Sequence, residues 1–125
     1  MIIAIDFDGT IVDHNYPLIG RPVPHAIETM KRLIKEKHLL ILYTVRSGKY
    51  LDAAVDYCEE NDIQFWAVNN NPEQSKWSDS PKVHADKYID DASVGVPLRE
   101  YPDFLRPAVC WESVSKYFFN PTNSS

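Results

Sequence analysis

Residues 2–10 read Ile-Ile-Ala-Ile-Asp-Phe-Asp-Gly-Thr, an apolar run that stops at two aspartates and a glycine. A short run with β-branched residues that ends in a turn sequence is typical of a buried strand. We therefore predict a strand over residues 2–5, with Asp6 and Asp8 at its carboxyl end.

The same alternation continues along the chain. Further apolar runs predict strands at residues 39–43, 64–68 and 85–89. Amphipathic patterns predict helices at residues 24–37, 47–61 and 112–119. Continuously apolar strands that alternate with helices predict an α/β fold with a three-layer, doubly wound parallel sheet.

Length and composition predict one domain. The chain has 125 residues, of which 44% are hydrophobic, and we expect residues 1–119 to form a single domain. Residues 120–125 are rich in Asn and Ser, and we expect them to form a disordered tail.

Charge and apolar content exclude several classes of protein. The net charge of −5 gives no bulk basic surface, so a nucleic-acid partner is not expected. The longest apolar run, residues 39–43, is too short to span a bilayer, and no membrane partner is expected. The beginning of the chain lacks a basic segment typical of a signal peptide, and Cys58 and Cys110 form no CxxC pair. We therefore expect a cytoplasmic protein with reduced thiols.

Polar residues follow the predicted strands. Asp6 and Asp8 follow the first strand, Thr44 the second, and Asp90 and Asp91 the last. The carboxyl ends of parallel strands meet at one edge, where ligands bind. Clustered carboxylates need a cation, and oxygen ligands favour Mg²⁺. No His or Cys pattern typical of zinc is present, and all four histidines are interpreted as surface or packing residues: His14, His25, His38 and His84.

These residues resemble the motifs of the haloacid dehalogenase (HAD) superfamily of aspartate-nucleophile phosphatases. Residues 6–10, Asp-Phe-Asp-Gly-Thr, are similar to its first motif, Thr44 to its second, and the pair Asp90-Asp91 to its fourth. The third motif is a lone basic residue that neutralises phosphate, for which Lys82 is the best match and Lys87 the alternative. The resemblance covers about residues 1–95 and is closest to a small capless branch, which implies a HAD-like Rossmannoid fold.

The resemblance implies a Mg²⁺-dependent phosphatase that hydrolyses a phosphomonoester through an aspartyl-phosphate. Asp6 would attack the phosphorus, and Asp8 would protonate the leaving oxygen and then activate water. Thr44 and Lys82, with backbone amides near Asp8 and Gly9, would stabilise the phosphoryl oxygens.

The resemblance also implies a set of metal ligands. Mg²⁺ would be held by the Asp6 carboxylate, the Asp8 main-chain carbonyl and Asp90, while Asp91 either reaches the metal through water or orients its neighbours. Arg46 would either bind the far end of the substrate or pair with an acid of the site.

No large cap domain is expected. Residues 9–23 provide only a flap, and residues 69–82 are too few for a domain. The open site would accept a phosphorylated small molecule or a phosphorylated macromolecule, or a homo-oligomer would supply its lid. The substrate class stays open among nucleotide, sugar phosphate, lipid head group and phosphoprotein.

Three other functions are compatible with parts of the pattern. A phosphotransferase of the same fold would pass the phosphoryl group to an acceptor other than water, and a non-catalytic HAD-like module would only bind phosphate. A phosphorylated receiver domain is disfavoured because its phosphoacceptor follows a middle strand, whereas here the third strand ends in asparagines.

Overall fold

The computed structural model describes residues 1–119 and has the predicted α/β alternation. The predicted tail at residues 120–125 lies outside the described residues. The elements are β1 (Ile2–Ile5), α1 (Ala26–Lys35), β2 (Leu39–Leu42), α2 (Gly48–Glu60), β3 (Ala67–Val68), a 3₁₀ turn (Gln74–Lys76), β4 (Lys87–Ile89), β5 (Leu98–Arg99), β6 (Ala108–Val109) and α3 (Trp111–Phe119).

The four predicted strands form one parallel sheet, in the order β3-β2-β1-β4. Its register aligns Ile5 of β1 with Leu42 of β2 and with Ile89 of β4. Because the three strands end level with one another, Asp6 and Asp90 emerge at the same edge of the sheet. The prediction of a parallel sheet with acids at its carboxyl edge is confirmed.

All three helices pack against one face of the sheet. Alternate strand residues supply this face, and the core that they form with the helices is buried: Ile3, Ile5, Leu40, Leu42, Met30, Leu33, Ala54, Cys58, Trp111 and Val114. Burying a large aliphatic side chain contributes about 2 kcal/mol, so this face supplies most of the hydrophobic stabilisation.

The opposite face is covered by an irregular segment. Ala4 and Ile41 point to this side and contact Val83 and Ala85 from the connection between β3 and β4. The 3₁₀ turn is the only helical part of that connection, residues 69–86. This face is therefore covered without an α-helix, and the predicted three-layer, doubly wound arrangement is not confirmed. Residues 69–86 are rich in Asn, Ser and Pro and lack an apolar helical period.

Buried Gln74 holds this irregular segment together. Its Nε2 donates to the carbonyl oxygens of Ser80 and Lys82, at 3.3 and 2.7 Å, and its Oε1 accepts from the His84 amide at 2.8 Å. The Gln74 side chain thus pairs three backbone groups of this segment, which has no α-helix or strand to pair them.

The second half contains two short strands that the sequence pattern does not predict. These are β5 and β6, which pair in a separate antiparallel ribbon. Both cysteines are free and buried, as expected. Among residues 1–119, none of the helices has the length and apolar character needed to cross a membrane.

Residues 9–23, predicted to form a flap, connect the first motif to α1, and residues 11–23 pair with each other. The Asp13 amide donates to the Arg21 carbonyl at 2.8 Å, and the Val23 amide donates to the Ile11 carbonyl at 2.9 Å. The flap is therefore a small hairpin that starts and ends beside the first motif.

Candidate functional site

Three acidic side chains meet at the carboxyl edge of the sheet. Asp6 follows β1, and Asp90 and Asp91 follow β4; one carboxylate oxygen of each lies within 4.8 Å of the others. All three residues are partly buried. We call these residues the acidic triad. Its all-oxygen donor set fits a hard divalent cation such as Mg²⁺ and offers none of the nitrogen or sulfur ligands typical of zinc.

The surroundings of Asp6 raise the pKa of its carboxyl group. Its burial, a hydrogen bond with the Asp91 side chain and the charge of Asp90 together raise its pKa to about 8, while a hydrogen bond from the Phe7 amide acts in the opposite direction. Without a cation, Asp6 therefore carries a proton at neutral pH. A bound cation would favour the carboxylate.

Two residues that sequence reasoning gave no role hold the triad in place. Thr10 Oγ1 donates to Asp6 Oδ2 at 3.2 Å and accepts from the Asp91 amide at 3.1 Å. His14 Nε2 lies 2.7 Å from Asp91 Oδ2, so the interpretation of His14 as a surface or packing residue is wrong. The flap brings His14 to the triad across 77 positions of sequence, and no local pattern signals such a contact.

Gly9 is required where the flap meets the triad. Its φ is +85°, and a Cβ atom at this position would lie 2.1 Å from His14 Nε2 and 2.5 Å from Asp91 Oδ2. The Gly9 amide donates to the Val12 carbonyl at 2.7 Å. The expectation that this amide binds a phosphoryl oxygen is therefore not supported, because the hydrogen bond within the flap would first have to open.

Asp8, the other aspartate of the first motif, is not part of the acidic triad and pairs with Arg46. Arg46 Nε donates to Asp8 Oδ2 at 2.8 Å and Nη2 donates to Asp8 Oδ1 at 2.7 Å. The other guanidinium hydrogens go to the carbonyls of Pro17 (3.1 Å), Leu18 (2.7 Å) and Tyr50 (3.3 Å). All five N–H donors are used, so Arg46 has none left for substrate. The expectation that Arg46 binds substrate is corrected, and the alternative of pairing with an acid is confirmed.

Thr44 lies half-buried directly after β2. Its amide donates to Asn69 Oδ1 at 2.8 Å, and its Oγ1 accepts from the Arg46 amide at 3.1 Å. A hydroxyl that accepts one hydrogen bond still has its own hydrogen to donate, so Thr44 keeps the capacity expected of the second motif.

Lys82, the first choice for the third motif, shares a pocket with two acids of the triad. The pocket has a volume of about 320 Å³, and its lining includes Asp6, Asp90 and Lys82. Lys87, the alternative, is an exposed residue of β4, and its Nζ lies 5.7 Å from the centre of the Tyr117 ring. The geometry favours Lys82.

The expected site residues are thus divided between two arrangements. Asp6 and Asp90 of the acidic triad line one pocket with Lys82, while Asp8 follows the same strand as Asp6 and is paired with Arg46. Thr44 lies at the same edge of the sheet, and Gly9 shapes the flap.

No protein-family model matches this chain, and no curated protein does. Among solved structures, the chain is similar to a conserved protein from Bacteroides thetaiotaomicron. The two are 39% identical with a TM-score of 0.80, over 97% of this chain and 91% of that one. That protein is described only as conserved, so the likeness supports a common fold and carries no activity.

Proposed function

We propose that this chain, which belongs to the same family as the conserved protein from Bacteroides thetaiotaomicron, is a Mg²⁺-dependent phosphatase of the HAD type. It would hydrolyse a phosphomonoester through an aspartyl-phosphate on Asp6. The observation that carries the proposal is the pocket of about 320 Å³ in which two acids of the triad face Lys82.

The charges around this pocket suit a phosphate dianion only when a cation is bound. Three carboxylates would repel an anion, and Lys82 alone cannot offset them. The residues that would hold Mg²⁺ are Asp6, Asp90 and Asp91. When bound, Mg²⁺ would supply the positive charge that keeps Asp6 ionised and neutralises the phosphoryl oxygens.

The protein's own residues would carry the two chemical steps. The Asp6 carboxylate forms a bond to phosphorus while the bond from phosphorus to the leaving oxygen breaks. Both oxygens of Asp8 accept hydrogen bonds from Arg46, so Asp8 first takes a proton from solvent, gives up one of these bonds, and then passes the proton to the leaving oxygen. Water then attacks the phosphorus while the bond from phosphorus to Asp6 breaks, Asp8 takes the proton of the water, and inorganic phosphate leaves. The Thr44 hydroxyl and the Lys82 ammonium stabilise the phosphoryl oxygens.

The surroundings of the pocket support a capless enzyme. The flap contacts the triad through His14, the irregular segment of residues 69–86 contributes Lys82 to the pocket, and neither is long enough to form a cap domain. An open site of this kind suits either a phosphorylated small molecule or a phosphorylated macromolecule, or a second subunit that supplies the lid. The strand order β3-β2-β1-β4 is compatible with a HAD-like Rossmannoid arrangement.

The proposal is tested by turnover of p-nitrophenyl phosphate with and without Mg²⁺. We expect Mg²⁺-dependent release of phosphate that is lost in Asp6→Asn and retained in Asp56→Asn, a control on the exposed side of α2. An inactive wild-type protein that still binds phosphate would instead indicate a binding module. Phosphate transfer to an added alcohol, in place of release, would indicate a phosphotransferase.

A further inference from the structure

Arg46 is a charged side chain with no exposure to solvent. The residue is 1% exposed, and its guanidinium lies 5.0 Å from the centre of the Phe7 ring and 5.1 Å from that of Tyr16. Removing a guanidinium from water is costly unless every donor is paired and an opposite charge is near. All donors of Arg46 are paired and the Asp8 carboxylate is its opposite charge, so these partners fix the position of the guanidinium.

The partners of Arg46 come from three separate parts of the chain. The Asp8 carboxylate follows β1, the carbonyls of Pro17 and Leu18 belong to the tip of the flap, and the Tyr50 carbonyl belongs to the first turn of α2. Both oxygens of Asp8 are engaged in a two-point pairing that a lysine cannot reproduce. A displacement of the flap tip therefore acts on the same group that fixes the Asp8 side chain.

We propose that Arg46 is a positioning residue that couples the flap to the Asp8 carboxylate. It orients the Asp8 side chain and sets its position according to the position of residues 17 and 18. A substrate that shifts the flap tip would thereby also shift the acid–base group. This inference rests on the proposed function for the role of Asp8, but the coupling itself can be measured without turnover.

Deuterium exchange of the flap amides measures the coupling directly. Asp8→Asn leaves the flap sequence intact but removes the charge and one of the two acceptors that hold Arg46. We expect exchange in residues 11–23 to become about tenfold faster in Asp8→Asn and in Arg46→Lys, because a charge-assisted bond is lost in each. Asp56→Asn is the matched control and should leave flap exchange unchanged.

Kinetics measure what the coupling does for catalysis. We expect Arg46→Lys to lower kcat about 100-fold with KM changed less than about twofold, since a misplaced acid–base group slows the step without weakening binding. The loss should be greater for an alkyl phosphate than for p-nitrophenyl phosphate, whose leaving oxygen needs no proton. When Asp8 is already replaced by Asn, adding Arg46→Lys should lower kcat by a further factor of less than about three. Arg32→Lys, an exposed arginine paired with Glu36 on α1, should have wild-type kinetics.

Each result bears on one proposal. Flap exchange that is unchanged in Asp8→Asn, or equally accelerated over the whole chain, would overturn the coupling. Additive losses of kcat in the double variant, or equal losses for the two substrates, would overturn the positioning role while leaving the phosphatase intact. A wild-type protein without turnover would refute the proposed function, and exchange would still decide the coupling.

Discussion

Asp6 should make the metal-free protein less stable as the pH rises. In the folded protein its pKa is about 8, whereas an unfolded chain has the ordinary value of 3.8. When folding raises the pKa of an acid, the protonated acid adds to the free energy of unfolding. For Asp6 this contribution is fully present below pH 3.8 and is lost progressively up to about pH 8. Between these values the unfolded chain is ionised and the folded one is not.

The size of the effect follows from the width of this window. Each pH unit within it changes the free energy of unfolding by about 1.4 kcal/mol, so the interval from pH 5 to pH 7 amounts to about 2.7 kcal/mol. This is a large share of the 5–15 kcal/mol that is typical of a small domain. Asn at position 6 has nearly the same shape and no charge. Asp6→Asn should therefore lack this pH dependence and be more stable than the wild type at pH 7.

Urea unfolding in EDTA at pH 5, 6 and 7 gives the measurement. The difference in free energy of unfolding between Asp6→Asn and wild type should grow by about 2.7 kcal/mol over this range. Taking the difference removes the contributions of titratable groups that both proteins share. Adding Mg²⁺ at pH 7 should stabilise the wild type and leave Asp6→Asn nearly unchanged. A difference that is constant from pH 5 to pH 7 would refute the argument from the buried triad.

Two further substitutions test the site. Gly9→Ala should unfold at a lower urea concentration than Gly95→Ala. Both glycines have a φ near +85°, but only at Gly9 would the added Cβ atom collide with a neighbour, 2.1 Å from His14 Nε2. Equal destabilisation, of about 1 kcal/mol each, would show that backbone strain alone matters. Lys82→Met should lower kcat/KM for p-nitrophenyl phosphate about 100-fold, and Lys87→Met should have little effect. The reverse order would assign the third motif to Lys87.

The strands and helices were predictable because their signals are local. Residues 2–5 form β1 as predicted, and the three helices lie within one or two residues of the expected positions apart from trimmed ends. Parallel pairing followed from continuous apolar runs, and it placed Asp6 and Asp90 at one edge without further information. These features depend on hydrophobic periodicity, which a single sequence carries.

The contacts made by the flap were not predictable in this way. His14 reaches Asp91, and Arg46 reaches Leu18, through a hairpin whose path depends on backbone hydrogen bonds between residues with no apolar period. Arg46 is a candidate site residue from sequence because it comes shortly after Thr44. Whether it binds substrate or pairs with an acid depends on whether its side chain is exposed or buried. Exposure of a polar side chain is a property of the tertiary structure, and the sequence left both alternatives open.

The two aspartates of the first motif obtain their positive partners from different sources. Asp8 is already neutralised inside the fold, because Arg46 bonds to both of its oxygens. Asp6 has two acids beside it, and within residues 1–119 the basic group in direct contact with the triad is His14, which bonds to Asp91. Arg46 has no donor left, and Lys82 is exposed and lies across the pocket. In the proposed mechanism, the positive charge that would keep Asp6 ionised therefore has to come from a bound cation. The two aspartates would then have separate roles, with Asp6 as a nucleophile that depends on the cation and Asp8 as an acid–base group that does not.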